Sequence, residues 1–567
     1  MSLSFAEYLV TDDLTILLGL IAATVFLVNN LYKPQPLVHP ILLGRQSDVG
    51  RARNPGESAV YRNYSTGLMG RFPIRPAKDV HIILDFLRSE TEGPRTLWKT
   101  KIANNVLQDR IAAVGTGLLR LAKLKPAEST VLLLLNDGIE FVLTDLALAT
   151  HSIVSYTLAQ ATLLSAVLDS HSPSAIVTHG FMLPALLELI YDSGDRNQQH
   201  TIILVDDASP QAIASSASNI NILRFADIER EGVRVQKILS PVPKPSDVYT
   251  ISFYEGQNGL IQGAQLTHEN MTAGVAAIHA LLPASHVFST LDTIASAHNL
   301  GAAFGRAIAY TALYEGTSFA TLASSQVYSA SEEVSNVHKD VKDLAGCMSY
   351  PIPFPTVLFV KPDHLRSATK EILKHAAKAS LLYRFGWRHK LAGVTDGFLT
   401  RESLWDRMLF DTARAKVLGN ISATARAVIV SGGTIEASLM TPARIAFSVP
   451  VINCLSHPLV TAPVLASHAF DLQDFTLDKT NVSVEFPAHT GPPGVNVEVK
   501  LVGVDDEAVE SGSDPVGVML VRGPPVAKLV NVEGYVEVPP TNDDEGWTGL
   551  GIRARMQTNG SMVELID

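Results

Sequence analysis

A chain of 567 residues with 46% hydrophobic content can bury more than one packed unit, which excludes a disordered protein and a short peptide scaffold. A formal net charge of −11 and a pI near 5.9 set the chain as a whole against nucleic acid, and no nucleic-acid partner is expected. Cys347 and Cys454 are its two cysteines, so neither a disulfide framework nor a cysteine-rich zinc site is available, and a reducing compartment is expected for the main domain.

Leu14 to Val28 is apolar apart from two threonines and a glycine, and Leu31 and Tyr32 extend the run. As a helix, Leu14 to Tyr32 reaches about 28 Å, close to the thickness of a bilayer core. A signal peptide needs a basic start and a small-residue cleavage site, whereas Asp12 and Asp13 precede this run and Tyr32-Lys33-Pro34 ends it. A buried helix is the other reading. With Lys33, Arg45, Arg51 and Arg53 on its far side, the run predicts a single-pass membrane anchor over residues 14–32 with the main domain cytosolic, the endoplasmic reticulum being the expected membrane.

Pro34, Pro36, Pro40 and Pro55 interrupt any long helix up to about Pro76, so this stretch is expected as an extended linker. From about Leu97 the patterning alternates. Ile111 to Leu124 has helical spacing, whereas Thr130 to Leu135, Ala175 to Val177, Thr201 to Val205 and Val248 to Ser252 read as short buried strands. Alternation of this kind predicts an α/β fold with parallel sheets covered by helices. From Lys361 to Lys390 the cations Arg366, Lys370, Lys374, Lys378, Arg384 and Arg388 outnumber the acids, which suits either a solvated helix face or contact with anionic lipid headgroups. After about Val482 short β-rich runs, Val495 to Val502 and Val516 to Val521, predict a small barrel-like unit. The expected organisation is therefore an anchor over 1–32, a proline-rich linker and extension over 33–96, α/β subdomains over 97–481 and a β-rich subdomain over 482–567.

Phe253-Tyr254-Glu255-Gly256-Gln257-Asn258-Gly259-Leu260-Ile261-Gln262-Gly263, running into Leu266-Thr267-His268-Glu269-Asn270, has the glycine spacing of a phosphate-binding loop. It resembles the adenylate-forming family of acyl-CoA synthetases, whose loop reads Tyr-Thr-Ser-Gly-Thr-Thr-Gly-x-Pro-Lys-Gly before Leu-Thr-His-x-Asn. Further landmarks keep their order. Asn136-Asp137-Gly138-Ile139-Glu140-Phe141, Trp405 to Phe410, Leu418-Gly419, Val428-Ile429-Val430-Ser431-Gly432-Gly433 and Arg522-Gly523-Pro524 are similar to segments of the long-chain fatty acyl-CoA synthetase branch. The resemblance covers most of the chain from about Leu97 and implies two stacked α/β subdomains with a β-rich one. It also implies that Gly256, Gly259, Gly263 and Thr267 would shape a nucleotide site. His298, Gly432 and Gly433 would line the passage between nucleotide and acyl pocket, although a hydrogen-bonded core histidine reads His298 equally well and a plain strand-ending turn is the readier reading of Gly432-Gly433.

The departures fall where the family does chemistry. Glu255 stands at the loop serine, Gln257 and Asn258 at its threonines, and Gln262 at its lysine. Leu455-Ser456-His457-Pro458-Leu459 matches Tyr-Gly-x-Thr-Glu without its hydroxyl or metal-binding carboxylate, and Leu550-Gly551-Ile552 matches Thr-Gly-Asp without the ribose acceptor. The family's following domain, with its adenylation lysine, is expected to be absent. A carboxylate at Glu255 repels phosphate, and losing one preorganised transition-state contact already costs about 2.7–4 kcal/mol. The expectation is a catalytically degenerate relative with no catalytic or metal-binding residues and no cofactor. It would bind fatty acid or acyl-CoA, or scaffold an active synthetase. The alternative is an active long-chain fatty acid–CoA ligase that uses ATP and magnesium.

Overall fold

The computed structural model describes residues 12–31, 36–66, 71–88, 93–192, 200–214, 219–257, 259–329, 337–473, 486–531 and 545–565. Tyr32, Asn258 and the expected subdomain boundary at 481/482 lie outside these residues. The buried apolar runs become strands of two eight-stranded sheets. In the first, the order is Lys528–Asn531, Ile261–Thr267, Val248–Glu255, Val154–Leu158, Thr130–Leu134, Ala175–Thr178, His200–Leu204 and Ile220–Arg224. The six strands from Val248–Glu255 to Ile220–Arg224 run parallel. The second sheet runs Leu465–Ala466, Val451–Leu455, Ala427–Val430, Val357–Val360, Thr293–Ser296, Ser318–Thr321, Arg95–Leu97 and Thr100–Ile102. Strands such as Val357–Val360 and Ala427–Val430 are buried at every position, as parallel strands covered on both faces must be.

Helices α1 (Asp13–Leu31), α2 (Pro40–Gly44), α3 (Asn104–Leu121), α4 (Ile139–Thr150), α5 (His268–His279), α6 (Ala303–Glu315), α7 (Pro362–Ala377) and α8 (Ser380–Thr395) follow one another along the chain. In α6 every residue from Ala303 to Tyr314 is buried, because this helix packs inside the fold rather than on its surface. The third sheet is antiparallel, in the order Ser47–Arg51, Val60–Asn63, Glu498–Val502, Val516–Arg522, Thr548–Met556 and Met562–Glu564. Two of its strands come from the stretch expected to be a linker. Proline bars long helices there but leaves short strands free to pair. The sheet curls until its ends meet, with Gln46 N–H donating to the Asn559 carbonyl at 2.8 Å and Ser47 Oγ to that of Gly560.

The apolar run near the amino terminus does form α1, and its described side chains are exposed. Among the described residues, however, no helix is long and apolar enough to cross a membrane. The transmembrane crossing expected of residues 14–32 therefore has no support in the fold.

A buried polar network joins the layers. Asp145 on α4 accepts from Ser155 Oγ at 3.0 Å, from Arg306 Nη1 at 3.5 Å and from the Tyr310 hydroxyl. Arg306 also donates to the Leu300 carbonyl at 2.9 Å and to Thr157 Oγ1 at 3.0 Å. Asp145 and Arg306 are fully buried, so removing one partner strands the other charge away from water. Asp145→Ala is expected to lower the unfolding free energy by about 3–5 kcal/mol in urea denaturation.

Candidate functional site

In an open α/β sheet, ligands bind beyond the carboxyl ends of the strands where the chain reverses its direction of travel across the sheet. Here the chain leaves Thr293–Ser296 for Ser318–Thr321 on one side and returns to Val357–Val360 on the other. The loops after these strands, and after Ala427–Val430, carry His298, Lys361, Ser431, Gly432 and Gly433.

His298 Nε2 and Ser431 Oγ share a hydrogen bond of 2.8 Å. Burial pulls the imidazole down to about 3, helped by Lys361 and His364, so the ring is neutral. Gly432 has φ +80°, and a Cβ there would lie 3.3 Å from the His298 ring, so both backbone and space call for glycine. Gly433 faces Pro362 in the same way. These residues are thus brought together, with the histidine packed in place.

Two charged groups join the site, and the sequence marks them only as part of a landmark and as the start of a cationic run. Asp137 accepts from Leu300 N–H at 2.8 Å and from Ser325 Oγ at 2.6 Å, and burial raises it to about 6. Burial likewise lowers Lys361 to about 8, with Lys339 adding to it. Their signal was a charge within a few residues of an apolar strand end, where perturbed groups gather.

The glycine loop lies on the first sheet. Val248–Glu255 and Ile261–Thr267 pair until Glu255 meets Ile261, leaving a short turn. Within that turn Gly256 N–H donates to the Leu260 carbonyl at 2.8 Å and Gly259 N–H to the Gly256 carbonyl at 3.0 Å. Gln262 Oε1 lies 2.9 Å from where a Gly256 Cβ would stand, and Glu255 Oε1 lies 3.8 Å from the same point on Gly259. Gly263 is required by packing, since its Cβ would come within 3.0 Å of Ile251 and 3.2 Å of Phe253. Thr267 caps α5: its Oγ1 accepts from Asn270 N–H at 3.2 Å while Asn270 Oδ1 accepts from Thr267 N–H at 2.9 Å. The Asn270 amide then reaches the Pro524 carbonyl at 2.8 Å.

The other departures converge on this loop. His457, lowered by burial to about 4, lies edge-on to Tyr254 with ring centroids 6.1 Å apart. The Tyr254 hydroxyl is buried and has no hydrogen-bond partner. Leu459 and Ile552 are buried in the apolar core, and Gln257 Oε1 lies 2.9 Å from a Cβ built on Gly551. A nucleotide triphosphate with magnesium does not fit this set. The N–H donors of Gly256 and Gly259 are already bonded within the turn, the Gln262 and Glu255 side-chain oxygens stand beside these glycines, and Leu459 offers no metal ligand. Among the described residues no group of three or more His, Cys, Asp or Glu side chains could hold a metal ion.

A family model described as AMP-binding enzyme matches residues 104–530. The chain is 24% identical over 482 residues to the Mus musculus protein named long-chain-fatty-acid–CoA ligase 5, covering 81% of this chain and 63% of that one. It is 23% identical over 546 residues to Arabidopsis thaliana long chain acyl-CoA synthetase 7, peroxisomal, covering 88% and 68% respectively. The chain thus spans less than two thirds of the mouse relative. Among solved structures, the anthranilate CoA ligase AuaEII in complex with anthranoyl-AMP superposes with a TM-score of 0.58 at 14% identity, over 86% of this chain and 78% of that one. The Klebsiella oxytoca NpsA N-terminal subdomain in complex with 3-hydroxybenzoyl-AMSN gives 0.52 at 14% identity, over 86% and 99%. At that identity the likeness establishes the α/β adenylate-forming fold.

The buried histidines make stability depend on pH. Burial lowers His298, His457 and His268, to about 3, 4 and 4, against about 6.5 in an unfolded chain. Below the unfolded value the unfolded state binds protons that the folded state refuses, so stability holds above it and falls as pH drops towards the folded values. Each histidine contributes a slope of about 1.4 kcal/mol per pH unit. His298→Gln is expected to flatten the decline by that amount in urea unfolding followed from pH 6 to about pH 4.

Proposed function

Since the chain belongs to the AMP-binding enzyme family, we propose that it is a membrane-associated, long-chain acyl-CoA synthetase-like protein that has lost adenylation. It acts by binding an acyl chain or acyl-CoA, or by scaffolding an active relative. The long-chain assignment is supported by the names of its relatives and by the motif order. The loss of adenylation is carried by one observation: the N–H groups of Gly256 and Gly259 donate within the turn itself. A phosphate cradle needs such donors free, and it needs a cation where Gln262 stands. Purified protein given palmitate, ATP and magnesium is expected to release no pyrophosphate above an enzyme-free blank. Gln262→Lys is expected to leave it inactive, since Leu459 and Ile552 remain. Release well above the blank would establish the ligase instead.

Association with the membrane, on its cytosolic side and at the endoplasmic reticulum, rests on two exposed faces. One is α1. The other is α8, where Leu381 is 66% and Phe385 61% exposed beside the exposed Arg384 and Arg388. Leu37 N–H donates to the Gly397 carbonyl at 2.9 Å, so the segment downstream of α1 is tied to the chain just beyond α8. A helix that offers apolar and basic groups together suits an anionic headgroup layer. The six cations Arg366, Lys370, Lys374, Lys378, Arg384 and Arg388 are exposed, whereas Lys390 at the end of the run turns inward to Asp406 at 2.7 Å. Replacing Ala22 and Ala23 with arginine costs about 2.5–3.5 kcal/mol per charge on insertion scales. That variant is expected to keep only salt-sensitive binding to phosphatidylserine vesicles, and Arg384→Glu with Arg388→Glu is expected to remove the rest. Salt-resistant binding by the combined variant would refute the assignment of both faces.

A further inference from the structure

Between the helix Phe225–Arg234 and the strand Val248–Glu255 the chain has no regular structure. Prolines alternate through it at Pro241, Pro243 and Pro245. Each ring fixes its own φ and bars the residue before it from the helical region, so the run from Ser240 to Pro245 is restricted at every residue towards polyproline II. Such a helix repeats about every three residues, and burial follows that period. Leu239 and Val242, at 92% and 79% exposure, form one ridge with the exposed Pro245. Ile238, Pro241 and Lys244, all exposed, form a second. The third faces the body, with Ser240 half-buried and Pro243 buried.

The run is fastened at both ends. Ile238 N–H donates to Thr116 Oγ1 on α3 at 3.2 Å, and Ser240 Oγ shares a hydrogen bond of 2.6 Å with His151 Nδ1 just beyond α4. Lys244 N–H donates to Asp247 Oδ2 at 2.8 Å, and the Pro245 carbonyl accepts from Glu269 N–H at 2.8 Å. A partner therefore has little chain entropy to remove on binding. Between these ties the carbonyls of Leu239 to Pro243 accept no hydrogen bond from the described residues. The prolines lack N–H groups, so the surface is rich in acceptors and poor in donors. That character selects what can cover it. A lipid interior would leave the carbonyls unpaired, and the same segment of a second copy would set acceptor against acceptor. A protein groove lined by tryptophan and tyrosine meets both needs: ring faces take the apolar ridges, while indole N–H and phenolic hydroxyl groups donate to the carbonyls.

We propose that residues 238–245 are the docking segment for a partner domain that reads polyproline II chains in an aromatic groove. The segment enters the amino end of Val248–Glu255, whose eight residues put about 26 Å between it and the glycine turn. Docking therefore leaves the crevice open and holds whether or not the crevice adenylates. The test titrates the full-length protein into a panel of purified, isotope-labelled SH3, WW and EVH1 domains, which represent this mode of recognition. At least one is expected to bind saturably, with chemical-shift changes confined to its aromatic groove. Leu239→Ser with Val242→Ser is expected to weaken that binding by about tenfold. Both side chains are exposed, so the melting temperature and binding to phosphatidylserine vesicles are expected to stay unchanged. Phe385→Ser on α8 is expected to leave domain binding as it was. No saturable binding across the panel, shift changes away from the groove, or full binding by the double variant would overturn the proposal. Loss of vesicle binding in the double variant would overturn it in favour of a lipid contact.

Discussion

The Asp145–Arg306 pair fixes the geometry on which the rest depends. Asp145 belongs to α4, its partners Ser155 and Tyr310 to the first sheet and α6, and Arg306 reaches the carbonyl of Leu300. Through Leu300 and Asp137 the same network holds the loop that carries His298. A buried charge pair adds little net stability over an apolar substitute, yet it is costly to break. Its hydrogen bonds tie α4, α6, the first sheet and the Leu300 carbonyl to one another beside the strand-end loops.

The turn at Gly256 and Gly259 illustrates how glycine spacing and phosphate chemistry separate. The glycines answer to backbone needs: Gly259 has φ +70°, and Gly263 has no room for a side chain. Those needs persist whether or not a ligand is bound. The chemistry depends on which way the N–H groups point and on what charge surrounds them. Here the donors close the hairpin, Gln262 folds onto Gly256, and Glu255 lies beside Gly259. Selection for the fold and selection for the reaction act on different atoms of one loop.

The amino-terminal extension is built into the body of the protein. Ser47–Arg51 and Val60–Asn63 join strands from the far end of the chain, and Arg62 pairs with Glu498 across that junction. Gln46 and Gln473 both donate to the Leu43 carbonyl, at 3.3 Å each. The extension therefore carries α2, with Ile41 and Leu42 exposed, beside strands that are paired into the body of the fold.

By itself the sequence determined the class of fold and the order of its landmarks, because buried parallel strands must be apolar and short while the helices between them keep their own period. It also determined which chemical groups are missing, since Gln262, Leu459 and Ile552 cannot act as a cation, a metal ligand or a ribose acceptor in any conformation. Tertiary structure decided what those positions do instead. Thr267 became a helix cap because Asn270 sits three residues on, facing it once the helix forms. The stretch after α1 became strands rather than linker because Glu498–Val502, more than four hundred residues away, offered an edge to pair with. Asp137 and Lys361 became perturbed groups only through burial. Such properties belong to contacts between distant residues, and local patterning does not encode them.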